Sequence, residues 1–264
     1  WKTTNKAGEK TYILTHKGEA TDNLFAMVER YHNNAPVHVR PHVGKKNAKE
    51  FTFDKLDSKY QVATAGAKGA GRSSTLTNVH GSEVAFWEQA ASHLGGMMQA
   101  VPLAKGTEVW LESTAQGLGN VFHKQWQMAV KGLSDFIAIF IPWFWQEEYR
   151  REPPSDFELE ASPESVPEGE LTEVEYAEFF RCDLEQMYWR RMKIAELGGG
   201  DDGYYTFKEE YPATAEEAFQ ASQVGNTLMK RRHVLAARKS TVASTGSLIM
   251  GFDPGGEGEK GDPS

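Results

Sequence analysis

The chain has 264 residues, 39% of them hydrophobic and 25% charged, which is the profile of a soluble globular protein with one large core or two smaller ones. Its most apolar stretch, residues 136–145, is about half the roughly 20 residues that a membrane-spanning helix needs. A single cysteine, Cys182, excludes an intrachain disulfide and fits a reducing compartment. The net charge of −8 excludes a surface coated in basic residues, although local basic patches can still meet phosphate.

In chain order, residues 12–15 read as a short apolar strand. Residues 19–32 follow with Leu24, Phe25, Val28 and Tyr31 at helical spacing. His38 and His42 lie four apart, but Pro41 between them spoils a helical metal pair. Residues 60–64 predict a strand, residues 65–74 a glycine-rich loop, and residues 75–79 another strand. A helix is expected over 84–99, burying Phe86, Trp87, Ala90, Leu94 and Met97. A strand over 108–112 and a helix over 119–131 come next. The nearly continuous apolar run 136–141 reads as a strand buried on both faces. Alternation of strand and helix points to an α/β fold with a mostly parallel sheet.

The composition changes near Arg150. Residues 151–170, rich in Pro, Glu and Ser, read as a surface linker. Thr172 and Glu175 form a capping box that opens a long helix to about Leu197, ended by the glycine run that starts at Gly198. Thr214 and Glu217 form a second capping box, opening a short helix through Ala221. A further helix is expected over 227–238, and a strand over 247–252 that runs directly into Asp253. These signals divide the chain into an α/β core over 1–150, a linker and helical subdomain over 151–245, and the first strand of a further domain over 246–264. Both ends read as truncations of a longer protein.

Four places carry chemistry. The strand ahead of His80-Gly-Ser-Glu83 delivers Glu83 to the edge of an α/β sheet where ligands gather. A carboxylate there can orient a water beside a γ-phosphate, with Ser82 near the metal's water shell. The bland alternative is an acidic residue favouring a helix dipole. The strand ending Glu112-Ser113-Thr114-Ala115 can sense a phosphate through its hydroxyls, or simply cap the next helix. Arg72, in mobile glycine-rich sequence, suits a finger reaching a phosphate, or is a solvated loop arginine. Asp253 is placed as the first carboxylate of a two-metal nuclease, or as a turn residue in Asp-Pro-Gly-Gly. Two basic clusters, at residues 45–49 and 190–193, could touch a DNA backbone or be solvated faces.

The ordered set resembles one family. His80-Gly-Ser-Glu-Val-Ala-Phe-Trp87 resembles the Walker B segment of bacteriophage terminase large subunits, and Glu112-Ser-Thr-Ala-Gln-Gly-Leu-Gly-Asn-Val-Phe122 resembles their coupling motif. Phe140-Ile-Pro-Trp143, Tyr149, Phe207-Lys-Glu-Glu-Tyr-Pro212 and Glu217-Ala-Phe219 look like later landmarks, and Met250-Gly-Phe-Asp-Pro254 like the opening strand of the nuclease domain. The resemblance implies a P-loop NTPase-like, mostly parallel sheet lacking its first strand and phosphate loop. A helical lid subdomain and the start of an RNase H-like nuclease domain would follow.

Position by position, the resemblance implies that Glu83 is the catalytic, water-activating glutamate and Arg72 a trans-acting arginine finger. Ser82 stands where many P-loop ATPases carry a metal-associated aspartate. Ser113, Thr114 and Ala115 match the triplet that couples hydrolysis to movement, and Asp253 the first metal ligand of the nuclease. It further implies ATP with Mg2+, Mg2+ or Mn2+ at the nuclease, and double-stranded DNA as cargo. The portal protein and small terminase subunit would be partners, the motor a homo-oligomeric ring on the procapsid, and the setting the host cytoplasm. The phosphate loop is expected upstream of Trp1 and the remaining nuclease carboxylates beyond Ser264. Two other readings stay open from the residues: a helicase or repair motor on the same core, and a non-catalytic module that binds DNA or a partner.

Overall fold

The computed structural model describes residues 1–66 and 75–221. A short helix, α1 (Lys2–Asn5), leads into β1 (Lys10–Thr15), whose Tyr12, Ile13, Leu14 and Thr15 are all buried. Burial on successive residues means burial on both faces, the mark of a central parallel strand. The long helix α2 (Gly18–Asn34) turns Thr21 and Phe25 inward. A hairpin follows, β2 (Lys45–Asn47) and β3 (Glu50–Phe53), and then β4 (Ser58–Thr64). After β5 (Asn78–Ser82) comes a single 3-10 turn at Val84–Phe86 and then α3 (Ala90–Met98). Next are β6 (Glu108–Glu112) and α4 (Val121–Val130), the latter capped by the Asn120 side chain accepting from the His123 amide at 2.9 Å.

The described strands form one six-stranded sheet in the order β2-β3-β4-β1-β5-β6. β4, β1, β5 and β6 run parallel, while β2 and β3 form an antiparallel margin. The expected mixed α/β fold with a mostly parallel sheet is therefore the one observed. Alternation sends the side chains of β1 to two cores. Tyr12 and Leu14 join Val79, Trp87, Leu94 and Met97 on one face. Ile13 joins Phe25, Phe51, Phe53, Tyr60 and Val62 on the other, beneath α2.

Three expectations need correction in this half. The strand expected over 75–79 runs instead over Asn78–Ser82. Its pairing with β1 (Thr11 to Asn78, Leu14 to Gly81) and with β6 (Ser82 to Glu112) draws in a glycine and a serine that β-propensity disfavours. The single helix expected over 84–99 is interrupted: Gln89 takes a left-handed conformation (φ 50°) ahead of α3, and Phe86 is exposed rather than buried. The apolar run 136–141 forms no strand. It alternates instead, with Ile137, Ile139 and Ile141 exposed (85%, 59% and 70%) and Phe136, Ala138 and Phe140 half-buried.

The later described residues are helical: α5 (Glu173–Phe180), α6 (Leu184–Glu196), α7 (Gly200–Glu210) and α8 (Ala215–Ala221). Trp143, Tyr176, Met187, Phe207 and Ala213 form their core, with Tyr149 and Trp189 stacked at 4.5 Å beside it. Residues 151–170 are irregular apart from a 3-10 turn at Pro163–Ser165, as their composition implies. The Thr172–Glu175 capping box is present, but the long helix expected after it is two helices. Arg181 adopts φ 56°, and Asp183 with Gln186 forms a second capping box that starts α6. At α8, Thr214 caps the Glu217 amide at 3.2 Å, while the Glu217 carboxylate accepts from Ala213, one residue earlier than a standard box. The helix expected over 227–238 and the strand over 247–252 lie outside the described residues.

The basic cluster at 190–193 offers no set of free cations. Arg190 is 2% exposed, and Arg191 is paired with Glu173 and stacks on Phe157. Lys193 pairs with Glu196 at 2.7 Å. At 45–49, Lys46 pairs with Glu29 at 2.8 Å, and Lys45 stands exposed on the margin of the sheet. Among the described residues no helix is long and apolar enough to cross a membrane.

Gly203, in the first turns of α7, shows what holds α6 and α7 together. A Cβ there would sit well inside 3.0 Å of the Ile194 carbonyl oxygen. Helix propensity alone predicts that Gly203→Ala adds about 1 kcal/mol of stability. The clash is with main chain that cannot rotate aside, and overpacking of that kind costs about 1–3 kcal/mol. Sterics should win, so Gly203→Ala is expected to lower the chemical-unfolding midpoint, by a net loss of up to about 2 kcal/mol. A midpoint equal to or above that of the unsubstituted protein would show that the two helices separate freely.

Candidate active site at the tips of β5 and β6

β5 and β6 are parallel neighbours, so their C-terminal tips lie side by side and the residues that follow meet at one edge. Glu83, directly after β5, takes a left-handed conformation (φ 55°, ψ 47°). That region costs a non-glycine residue roughly 1 kcal/mol or more and persists only where the surroundings hold it. What holds it is visible. The Ser113 hydroxyl, one residue past β6, donates to Glu83 Oε2 at 3.3 Å and accepts the Ala85 amide at 3.2 Å. The indole of Trp87 donates to the Ser82 carbonyl at 2.9 Å. Gly81 leaves room for this packing, since a Cβ there would lie 2.9 Å from Leu111 and 3.0 Å from Trp87.

The structure thus brings together Ser82, Glu83 and Ser113 of the residues singled out from sequence. Thr114 is exposed. Ala115 is buried against Phe219 and Ala218 of α8, with Phe122, Trp126 and Phe140 around them. Phe219 also meets the His123 ring at 4.8 Å. The chain from Ser113 to Ala115 therefore touches Glu83 at one end and the helical segment at the other. Arg72 and Asp253 lie outside the described residues.

Sequence reading missed two members of this edge. Glu112, the last residue of β6, faces Ser82 in register, and its carboxylate accepts from His80 Nε2 at 3.2 Å. Burial works against its charge, but the surrounding donors, His80 first among them, outweigh it and hold the carboxyl below the ordinary glutamate range. Close to the tips of β1 and β4, the hydroxyls of Thr15, Thr21 and Thr64 form a buried chain at 2.6 and 2.8 Å that ties α2 to the sheet. The only hint in the sequence was Glu112 beside the coupling segment; its tie to Ser82 depends on strand register, which is not local.

The donor set at this edge is oxygen-rich, with Glu83, Glu112, Ser82 and Ser113. That suits a hard cation held mainly by substrate phosphates and water, because Mg2+ takes only one or two protein carboxylates in such sites. Among the described residues no group of three or more His, Cys, Asp or Glu forms a metal cage.

No protein-family model matches the chain, and no curated protein matches it. Among solved structures, it is similar to the crystal structure of the HK97 bacteriophage large terminase, with 12% sequence identity and a TM-score of 0.48. The match covers 81% of this chain and 40% of that terminase's, so the chain spans less than half of the protein it resembles.

Proposed function

We propose that this chain supplies the water-activating and coupling parts of an ATP-driven motor that moves double-stranded DNA, of the viral large-terminase kind. The observation that carries the proposal is Glu83. A glutamate at the tip of a parallel strand, in a costly left-handed turn, lies within hydrogen-bonding distance of a hydroxyl on the next strand tip. The sequence resemblance around His80–Trp87 and Glu112–Phe122 falls on these same two tips. Unpaired by any cation among the described residues, the Glu83 carboxylate is suited to take a proton from a water. Bound Mg2+ would supply charge neutralisation at the phosphates. Ser113 is placed to register a shift of Glu83, and Ala115, two residues on, to pass it to Phe219 and α8.

In the whole protein, Arg72 would reach a phosphate as an arginine finger and Asp253 would hold the first metal of a nuclease that cuts concatemers. A ring of subunits on the procapsid would work with the portal protein and the small terminase subunit in the host cytoplasm. The test is ATP hydrolysis by the full-length protein. Mg2+-dependent turnover, stimulated by double-stranded DNA, is expected; no turnover with or without DNA rejects the reading. Strand separation without translocation of duplex would favour a helicase instead.

A further inference from the structure

Asn120 uses both ends of its side chain. Its Oδ1 accepts the His123 amide at 2.9 Å and caps α4. Its Nδ2 donates to three successive carbonyls, those of Ala115 at 2.9 Å, Gln116 at 3.1 Å and Gly117 at 3.2 Å. The side-chain amide cannot be turned over, because that would set its oxygen against three carbonyl oxygens and its NH2 against an N–H. Capping needs only the oxygen, and serine or aspartate caps about as well as asparagine. The three donations therefore need another account. They fall on a stretch without regular structure, in which Gln116 (φ 44°), Gly117 (φ 74°) and Gly119 (φ 88°) all have positive φ. A non-glycine residue keeps such a conformation only where its surroundings hold it, and the Asn120 amide grips the Gln116 carbonyl directly.

The same stretch lies between the candidate base and the helical segment. Ahead of it, the Ser113 hydroxyl donates to Glu83 Oε2 at 3.3 Å. Within it, Ala115 is buried against Ala218 and Phe219 of α8. Beyond it, His123 accepts the Gly119 amide on Nδ1 at 3.1 Å and packs its ring 4.8 Å from Phe219. We propose that Asn120 is a positioning residue for coupling: its side-chain amide locks residues 115–117 to the first turn of α4, so that a shift of Glu83 and Ser113 reaches Phe219 as the movement of one body. This role rests on the reading of Glu83 as the group that activates water in a DNA-moving motor. Asn120 touches no reacting atom. It removes slack from a path of packed and hydrogen-bonded groups, the kind of path that carries a displacement in either direction.

The experiment is ATP turnover with and without double-stranded DNA, by the full-length protein and by its Asn120→Asp, Asn120→Ser and Glu83→Gln variants, with thermal unfolding measured alongside. Aspartate and serine both keep an oxygen for the His123 amide, and both lack the NH2 that holds the carbonyls. Each should leave DNA-free turnover within about threefold of normal and lower the melting temperature by no more than about 4 °C. Stimulation by DNA should fall at least about fivefold in both, the lower end of what coupling between two sites supplies. Equal proportional loss of DNA-free and DNA-stimulated turnover would mean that Asn120 merely supports the fold, and overturns the proposal. Stimulation within about twofold of normal in both variants also overturns it, as does an unsubstituted protein whose turnover ignores DNA. In each of those cases an inactive Glu83→Gln leaves the reading of Glu83 standing. Full turnover in Glu83→Gln removes that reading, and the role of Asn120 with it.

Discussion

Glu83→Gln in the full-length protein is expected to cut ATP turnover by about 100- to 10,000-fold, the range that a positioned general base contributes. The substitution is nearly isosteric. A glutamine oxygen can still accept from the Ser113 hydroxyl, which donates to Glu83 Oε2 at 3.3 Å, and the backbone bonds of the turn do not depend on the side chain. Glutamine cannot take a proton from water, so the fold should survive while the chemistry is lost. Melting temperature and nucleotide affinity should stay close to those of the unsubstituted protein, which separates lost catalysis from lost structure. The left-handed turn adds a second arm. Glu83→Gly relieves the steric cost of φ 55° and removes the carboxylate, so it should be no less stable and equally inactive. Turnover within threefold of normal in Glu83→Gln would remove Glu83 from the mechanism.

The elements that sequence made legible are those whose signal is local. The helical spacing of Leu24, Phe25, Val28 and Tyr31 marks α2, and the short apolar run bounded by Glu108 and Glu112 marks β6; both form there. Glu83 was legible because a strand followed by a small residue and a carboxylate is a short pattern. Failures cluster where pairing between distant residues decides. The start of β5 shifted by three residues because β1 and β6 recruit Gly81 and Ser82, and the same register places Glu112 against Ser82. The run 136–141 shows the converse. Its apolar content signals burial on both faces only when strands pair alongside it. Among the described residues its contact is instead one-sided, through Phe140 against Ala115 and Phe219. The break at Arg181 was a different kind of miss. Asp183-Leu-Glu-Gln186 carries a capping-box pattern in plain sequence, overridden by the longer apolar period around it.

Arg190→Ala is expected to destabilise the helical segment by about 3 kcal/mol, and Arg190→Met by much less. Arg190 is buried to 2% exposure, its guanidinium 4.1 Å from the Tyr176 ring, 5.1 Å from Tyr204 and 5.4 Å from Phe207. Among the described residues its buried Nε has no hydrogen-bond partner, and no ion pair joins the guanidinium to a carboxylate. Three effects compete. Deleting the side chain opens a cavity, which for a large buried residue costs about 2–5 kcal/mol. It also removes cation–π attraction, about 2 kcal/mol for a desolvated contact. Against these stands relief of the desolvation penalty on a buried charge, which amounts to several kcal/mol per ion. Desolvation relief is common to both substitutions, while the cavity is specific to alanine, because methionine fills most of the space with apolar atoms. The difference between them therefore isolates packing. Urea unfolding of both variants checks it: a methionine variant as unstable as the alanine variant would mean that the charge in its aromatic cage, rather than volume, holds α5, α6 and α7 together.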